Sequence, residues 1–181
     1  MFVHQRVIRA AGVVLTGFAL VQAPVLQAQA AAKLDDPTIV AIFDAANTWD
    51  IETGNLGAKK AASKDVRAFA AMVARDHAEV RKLGRDLAKK LGVTPTPPKD
   101  FALATVHAET IKKLNAVSGK EFDREFLARE VAYHQAVIDA VNNSLLPALK
   151  NQEVKDLVTK VAPAFKAHRD AAQNLLDKLK P

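Results

Sequence analysis

The chain of 181 residues contains no cysteine, and this absence removes three kinds of chemistry at once. Disulfide bonds, thiolate metal sites and cysteine nucleophiles are all excluded. Aromatic residues make up only 6% of the chain, and glycine and proline are few, at 7 and 8 residues. Alanine, leucine, lysine and valine are abundant instead, and this mixture favours helices over sheets. We therefore expect a protein that is held together by the packing of helices.

The first thirty residues have the pattern of a secretory signal peptide. Arg6 and Arg9 precede a largely apolar run over residues 10–26, which is followed by the small-residue sequence Ala-Gln-Ala. A transmembrane anchor is the less favoured alternative, because the apolar run is short for a membrane span. We expect residues 1–30 to be cleaved, leaving residues 31–181 as one periplasmic or secreted domain without a transmembrane anchor.

The charge of the chain does not indicate nucleic-acid binding. The formal net charge is +6, and removal of the two arginines of the signal leaves +4. The lysines occur as scattered pairs such as Lys59-Lys60 and Lys89-Lys90, which suit solvated helix faces. Aromatic residues for base stacking are not interleaved with them. We therefore expect no nucleic-acid partner.

Helix-starting and helix-ending signals divide the remaining chain into four long helices and one shorter helix. Asp, Ser and Asn residues stand where helices should begin, and Gly or Pro stands where two of them should end. The predicted helices run from Asp36 to about Ala62, from Ser63 to Gly92, from Asp100 to Val117, from Ser118 to Pro147 and from Asn151 to Leu179. Similar lengths and mostly short connections predict an all-α antiparallel bundle, with the shorter third helix as a crossover or cap.

Three histidines are predicted to meet in the middle of this bundle. His77, His134 and His168 each lie on the apolar stripe of a different long helix, about halfway along it. Residues at mid-helix share one layer in an antiparallel bundle of equal helices. His107 also lies on the apolar stripe of its helix, and we interpret it as a core or rim residue.

Carboxylates fall close to the same level. Glu52 lies near the middle of the first helix, Asp76 precedes His77, and Glu130 lies one turn before His134. Buried imidazoles and carboxylates need partners, and a divalent metal supplies them to both. Histidine and carboxylate ligands suit Zn, Fe, Mn or Cu. The alternative is a layer of hydrogen bonds without metal that fixes helix register, and both interpretations stay open.

The order of these residues resembles a bacterial family of exported proteins called domain of unknown function 4142. The resemblance covers about residues 36–179 and is carried by Glu52, Gly54, Leu56, Ala58, Val66, Phe69, Ala70, Met72, Val73, Asp76, His77, Gly119, Phe122, Asp123, His134, Pro163 and His168. The resemblance implies a ferritin-like helical bundle. It also makes Glu52, Asp76, His77, His134 and His168 the positions of interest.

Three functions are compatible with this pattern. A metal-binding envelope protein would bring His77, His134 and His168 around one ion, and we add Glu52, Asp76 and Glu130 as candidate ligands. A structural or stress-related interaction protein would use the same residues as a polar layer. A metalloenzyme would need an open coordination position and a substrate pocket, which no motif of the sequence indicates. The sequence therefore favours a non-catalytic binding protein.

Overall fold

The computed structural model describes residues 34–98 and 101–179, and the chain is helical over most of them. No strand occurs in these two ranges, so the predicted all-α class is confirmed. The predicted signal peptide and the predicted cap at Asp100 lie outside the described residues. The helices are α1 (Asp36–Lys60), α2 (Lys64–Leu91), α3 (Ala102–Ala116), α4 (Gly119–Ala140) and α5 (Gln152–Lys178), and α4 is extended by a π-helical turn (Val141–Leu145) and a short turn (Leu146–Ala148).

The helix ends agree with the local signals to within a few residues. Asn151 caps α5, since its side-chain oxygen accepts from the N–H of Val154 at 3.1 Å. Gly92 ends α2 in the left-handed conformation, with φ of 65°. The cap of α1 differs from the prediction: Asp35 accepts from the N–H of Thr38, and Asp36 is the first helical residue.

Two aspartates cap helices other than their own. The carboxylate of Asp36 accepts from the backbone N–H groups of Lys150 and Asn151, at 2.8 and 2.9 Å, just before α5. The carboxylate of Asp123 on α4 accepts from the backbone N–H groups of Ala62 and Ser63, both at 2.8 Å, just before α2. An aspartate near the start of α4 would be favoured by the helix dipole alone. Asp123 has a further role, because it caps the start of α2.

These contacts fix the directions of the long helices. The start of α5 lies beside the start of α1, and the start of α4 lies beside the start of α2. The helix α1 packs mainly on α2, α4 packs mainly on α5, and α2 contacts α5. The neighbours in each of these pairs are antiparallel, and α3 connects the end of α2 to the start of α4.

Two glycines allow α1 to approach its neighbours closely. A Cβ atom on Gly54 would lie 2.8 Å from the carbonyl oxygen of Ala70 on α2. A Cβ atom on Gly57 would lie 2.8 Å from the side chains of both Ala70 and Phe126. The glycines cost helix propensity, but they let the two backbones come together.

The apolar interior consists of two clusters, one toward each end of the bundle. One is built around Phe43, Val158 and Phe165, and the other around Phe69 and Phe126. Along each long helix, the buried polar residues other than Thr38 and Asp123 fall between the members of the two clusters. The fold therefore places a polar layer in the middle of the bundle.

No helix in the described ranges has the length and apolar character that crossing a membrane requires.

Candidate metal centre

The central layer is made of polar side chains that are almost completely buried. Every long helix contributes to it, and no member exceeds 5% relative exposure: Asn47, Asp50, His77, Glu130, His134 and His168. Pairs of the three imidazole rings have their centroids 5.3–5.5 Å apart. One ring nitrogen from each lies within 4.8 Å of those of the other two. The structure thus brings together the three histidines that the sequence placed in one layer.

The orientation of His77 is set from α1. Asn47 donates through its side-chain nitrogen to the carbonyl oxygen of Phe43 at 2.7 Å, which leaves its amide oxygen as an acceptor. That oxygen lies 2.9 Å from Nδ1 of His77. Because the amide oxygen can only accept, Nδ1 carries the proton and Nε2 of the neutral ring carries a lone pair.

The orientation of His134 follows the same logic. Its Nδ1 lies 2.9 Å from the backbone carbonyl oxygen of Glu130, one turn earlier on α4. A carbonyl oxygen only accepts, so this nitrogen also donates. The Nε2 atom of His134 therefore carries a lone pair too, and it lies 3.3 Å from Nε2 of His77.

Asp50 completes a group of three acceptors. Its Oδ2 lies 2.9 Å from Nε2 of His77 and 3.2 Å from Nε2 of His134. Both Nδ1 protons are directed away from this point. When the imidazoles are neutral and Asp50 is ionised, the two Nε2 atoms and Oδ2 therefore have no hydrogen atom between them. Buried acceptors without a donor cost free energy, so this point of the bundle requires a cation or an added proton.

His168 joins this group from α5 and has a partner nearer the surface. Its Nε2 lies 3.3 Å from Oδ2 of Asp76, whose side chain is 33% exposed. Its Nδ1 is buried and has no hydrogen-bond partner among the described residues. Asp76 therefore lies at the edge of the layer and orients the ring, and the unpartnered nitrogen is available to a ligand.

Burial favours the neutral forms of His134 and His168. Burial lowers the pKa of His134 to about 4, although the charge of Asp50 acts in the opposite direction. Burial also lowers the pKa of His168, and the nearby His77 adds to that effect. Burial by itself would raise the pKa of Asp50, but Arg129, His134 and His77 together outweigh burial and hold this pKa well below its usual range. Neutral imidazoles beside an ionised carboxylate are the forms that bind metal.

Asp50 also forms a pair of buried acidic residues with Glu130 of α4. Nη1 of Arg129 contacts Oδ1 of Asp50 and lies 2.6 Å from Oε1 of Glu130. Its guanidinium carbon lies 4.0 Å from the centroid of the Tyr133 ring. Burial raises the pKa of Glu130 to about 8, and the charge of Asp50 adds to this effect. One arginine thus contacts two buried acidic residues, of which Glu130 tends to keep its proton.

The predicted position of Glu52 is wrong. Its side chain is 55% exposed, and its Oε2 lies 2.6 Å from Nε2 of His107 on α3. The His107 ring also stacks on Trp49, at 5.7 Å between centroids. Glu52 and His107 therefore connect α3 to the outside of α1 and do not reach the central layer.

Sequence reasoning missed Asp50, Asn47 and Arg129. On a helix, residue 52 points about 200° away from residue 50, since each residue turns about 100°. The spacing that marks the inner face is the run 43, 47, 50, 54 and 57, in steps of three and four. Gly54 and Gly57 continue that run, and they were the available signal that Asp50 faces inward.

The fold and the layer define a class of protein: an all-helical bundle with buried histidines and carboxylates at mid-height. The family model described as "Domain of unknown function (DUF4142)" matches residues 21–175, which is most of the chain. The chain belongs to this family, as its resemblance implied. Comparison with curated proteins and comparison with solved structures gave no match. The ferritin-like grouping therefore stays a prediction.

Proposed function

We propose that this protein binds one transition-metal ion at the centre of the bundle, through His77, His134, His168 and Asp50. One observation carries the proposal. Nε2 of His77, Nε2 of His134 and Oδ2 of Asp50 converge at 2.9–3.3 Å from one another, while the Nδ1 atoms of both rings face acceptors elsewhere. In a tetrahedral site with metal–ligand bonds of about 2.0–2.1 Å, ligand atoms lie about 3.3 Å apart. The spacing therefore suits an ion that all of them contact.

The ligand set indicates which ions are candidates. Three imidazoles and one carboxylate suit ions of intermediate softness, and the chain has no thiolate to select softer ones. Zn, Fe, Mn and Cu remain the candidates. Since the pKa of His134 is lowered to about 4, protons do not compete for this ligand at neutral pH.

The remaining ionisable residues have supporting roles in this proposal. Asp76 accepts from His168 and Asn47 accepts from His77, which are the outer contacts that orient metal-bound imidazoles. Glu130 lies beside the site and is paired with Arg129. Glu52 has no part in it, because it lies outside the layer.

The burial of the site favours binding over catalysis. The side chains of His77, His134 and Asp50 are at most 5% exposed. A metalloenzyme needs room for a substrate beside the ion, and these side chains are packed between the two apolar clusters. We therefore propose a metal buffer, sensor or protectant, and we place it in the cell envelope because of the predicted signal peptide.

Metal content is the first test. The full chain, without a histidine tag, is expressed, and the exported protein is purified from the periplasm and measured by elemental mass spectrometry. Thermal melts are recorded with and without chelator. We expect about one equivalent of metal and a melting temperature that falls on chelation, because an ion at 100 times its Kd adds about 2.7 kcal/mol of stability.

Matched variants locate the ion. His77→Ala and His134→Ala should lose the metal, whereas His107→Ala should retain it, because His107 lies outside the central layer. Native protein that holds no metal, and that added Zn, Fe, Mn or Cu does not stabilise, would show that the layer is a structural network of hydrogen bonds. The mass of the purified protein tests export separately, since a chain beginning near residue 31 is expected.

A further inference from the structure

A second anionic position lies next to the proposed metal site. Asp50 and Glu130 are both 0% exposed and come from different helices. One ligand atom from each, together with one from His134, lies within 4.8 Å of the others. Oε2 of Glu130 is buried, has no hydrogen-bond donor among the described residues, and lies 3.6 Å from Nδ1 of His134. Two buried acidic side chains this close need a cation or a bound proton between them.

Arg129 supplies a cation at present. Its Nη1 contacts a carboxylate oxygen of both Asp50 and Glu130, and its side chain is only 14% exposed. Guanidinium does not lose its proton in proteins, so this charge is permanent.

The position of the guanidinium is fixed by packing as well as by charge. The guanidinium carbon lies over the ring of Tyr133, 4.0 Å from the ring centroid. The hydroxyl of Tyr133 donates to the carbonyl oxygen of Ala46 at 2.8 Å, which holds the ring against α1. The arginine therefore cannot leave the carboxylates without breaking a packed contact.

Asp50 connects the two positions. Its Oδ2 faces the imidazoles, while its Oδ1 faces Arg129. A carboxylate with its oxygens divided in this way can bridge two cations, one on each oxygen. Here one of the two cation positions holds a guanidinium nitrogen.

We propose that Arg129 is a built-in cation that occupies a latent second metal position between Asp50 and Glu130, and so limits the bundle to one ion. This inference takes the first ion from the proposed function, whereas the second position is argued from Asp50, Glu130 and Arg129. Without the guanidinium, Asp50 and Glu130 would hold a second divalent ion of the kind that carboxylates prefer, such as Mn²⁺. Arg129 thus determines how many ions the protein takes.

The test compares three proteins that differ only at residue 129. Arg129→Met removes the charge but keeps an extended side chain, and Arg129→Lys keeps the charge. Metal-free protein is titrated with Mn²⁺ and passed through a desalting column, and bound metal is measured by elemental mass spectrometry. We expect one equivalent in the native protein and in Arg129→Lys, and two in Arg129→Met.

Electron paramagnetic resonance separates a second buried ion from one on the surface. Two Mn²⁺ ions that share the Asp50 carboxylate are magnetically coupled, whereas a distant surface ion leaves the spectrum of the first unchanged. Adding Glu130→Gln to Arg129→Met should return the protein to one equivalent and remove the coupling. A second equivalent that survives this change would overturn the assignment.

The outcomes distinguish this inference from the proposed function. One equivalent in both the native protein and Arg129→Met overturns the role of Arg129 and leaves the first site intact. No Mn²⁺ in the native protein with one equivalent in Arg129→Met supports the role of Arg129, and the first site is then judged by its metal content and by its response to Zn, Fe and Cu. No Mn²⁺ in either protein overturns the role of Arg129.

Loss of folding in Arg129→Met does not end the test. Arg129→Gln removes the charge and keeps a hydrogen-bonding group for the carboxylates, and circular dichroism establishes that each variant is folded. Titration of the native protein gives an independent result. A second tightly held, coupled ion in the native protein would show that Arg129 does not exclude it.

Discussion

Replacing Asn47 with alanine should weaken metal binding without removing a ligand. The Asn47 side chain is 2% exposed, and its oxygen lies 2.9 Å from Nδ1 of His77. Its loss lets the ring change tautomer and place a proton on Nε2, the atom that faces Asp50. A net hydrogen bond of about 1–1.5 kcal/mol corresponds to about a tenfold change in affinity. Outer contacts of metal ligands typically contribute about 10–100-fold, so we expect a loss at the lower end of that range.

A competition titration against a coloured chelator measures this effect. The Kd should rise about tenfold in Asn47→Ala while the stoichiometry stays at one ion. Asn47→Asp keeps an acceptor at the same place and adds charge, so it should bind at least as tightly as the native protein. Asn143→Ala, on an exposed residue beyond α4, is the matched control.

Two results would refute this reasoning. An unchanged Kd in Asn47→Ala would mean that the amide does not fix the His77 tautomer. An equal loss in Asn47→Asp and Asn47→Ala would mean that the effect comes from disturbed packing and not from the missing acceptor.

Two further predictions concern stability. Asp123→Ala removes the acceptor of two backbone N–H groups at 2.8 Å. The free energy of unfolding, measured in urea, should therefore fall by about 3 kcal/mol. Asp65→Ala, at an exposed residue, is the control and should change this free energy little. In metal-free protein, Glu130 has a pKa of about 8 when folded against 4.5 as its ordinary value, so the folded state binds more protons between these limits. The stability of the native protein relative to Glu130→Gln should therefore decline as pH rises from about 4.5 to 8, and a difference that is flat across this range would contradict the raised pKa.

The helix ends could be predicted because their signals are local. Asn151 and Gly92 each act within a few residues of their own position in the sequence. Asp36 and Asp123 were harder to interpret, since each is close to a helix start of its own and yet binds the start of another helix. Contacts of that kind depend on which helices are neighbours, and local patterns do not carry this information.

The histidines of the layer could be predicted because they interrupt apolar stripes. Asp50 could not be found in this way, because the inner face of α1 beyond Phe43 is made of small and polar residues. The apolar residues Trp49 and Leu56 lie beside that face, so a stripe drawn through them turns the helix and favours Glu52. The periodicity of apolar residues locates a core, but it gives the wrong rotation where the inner face is polar.

The two crossed aspartate caps have a consequence for how the bundle opens. The N–H groups at the start of a helix have no partner within that helix. For α2 and α5, acceptors are supplied by Asp123 and Asp36, which lie 60–61 and 114–115 residues away in the chain. Neither start can be completed until a distant helix has docked, so secondary and tertiary structure should form together. Amide hydrogen exchange at Ala62 and Asn151 should then report the opening of the whole bundle. Exchange at the first residues of ordinary helices, in contrast, reports only fraying of the helix end.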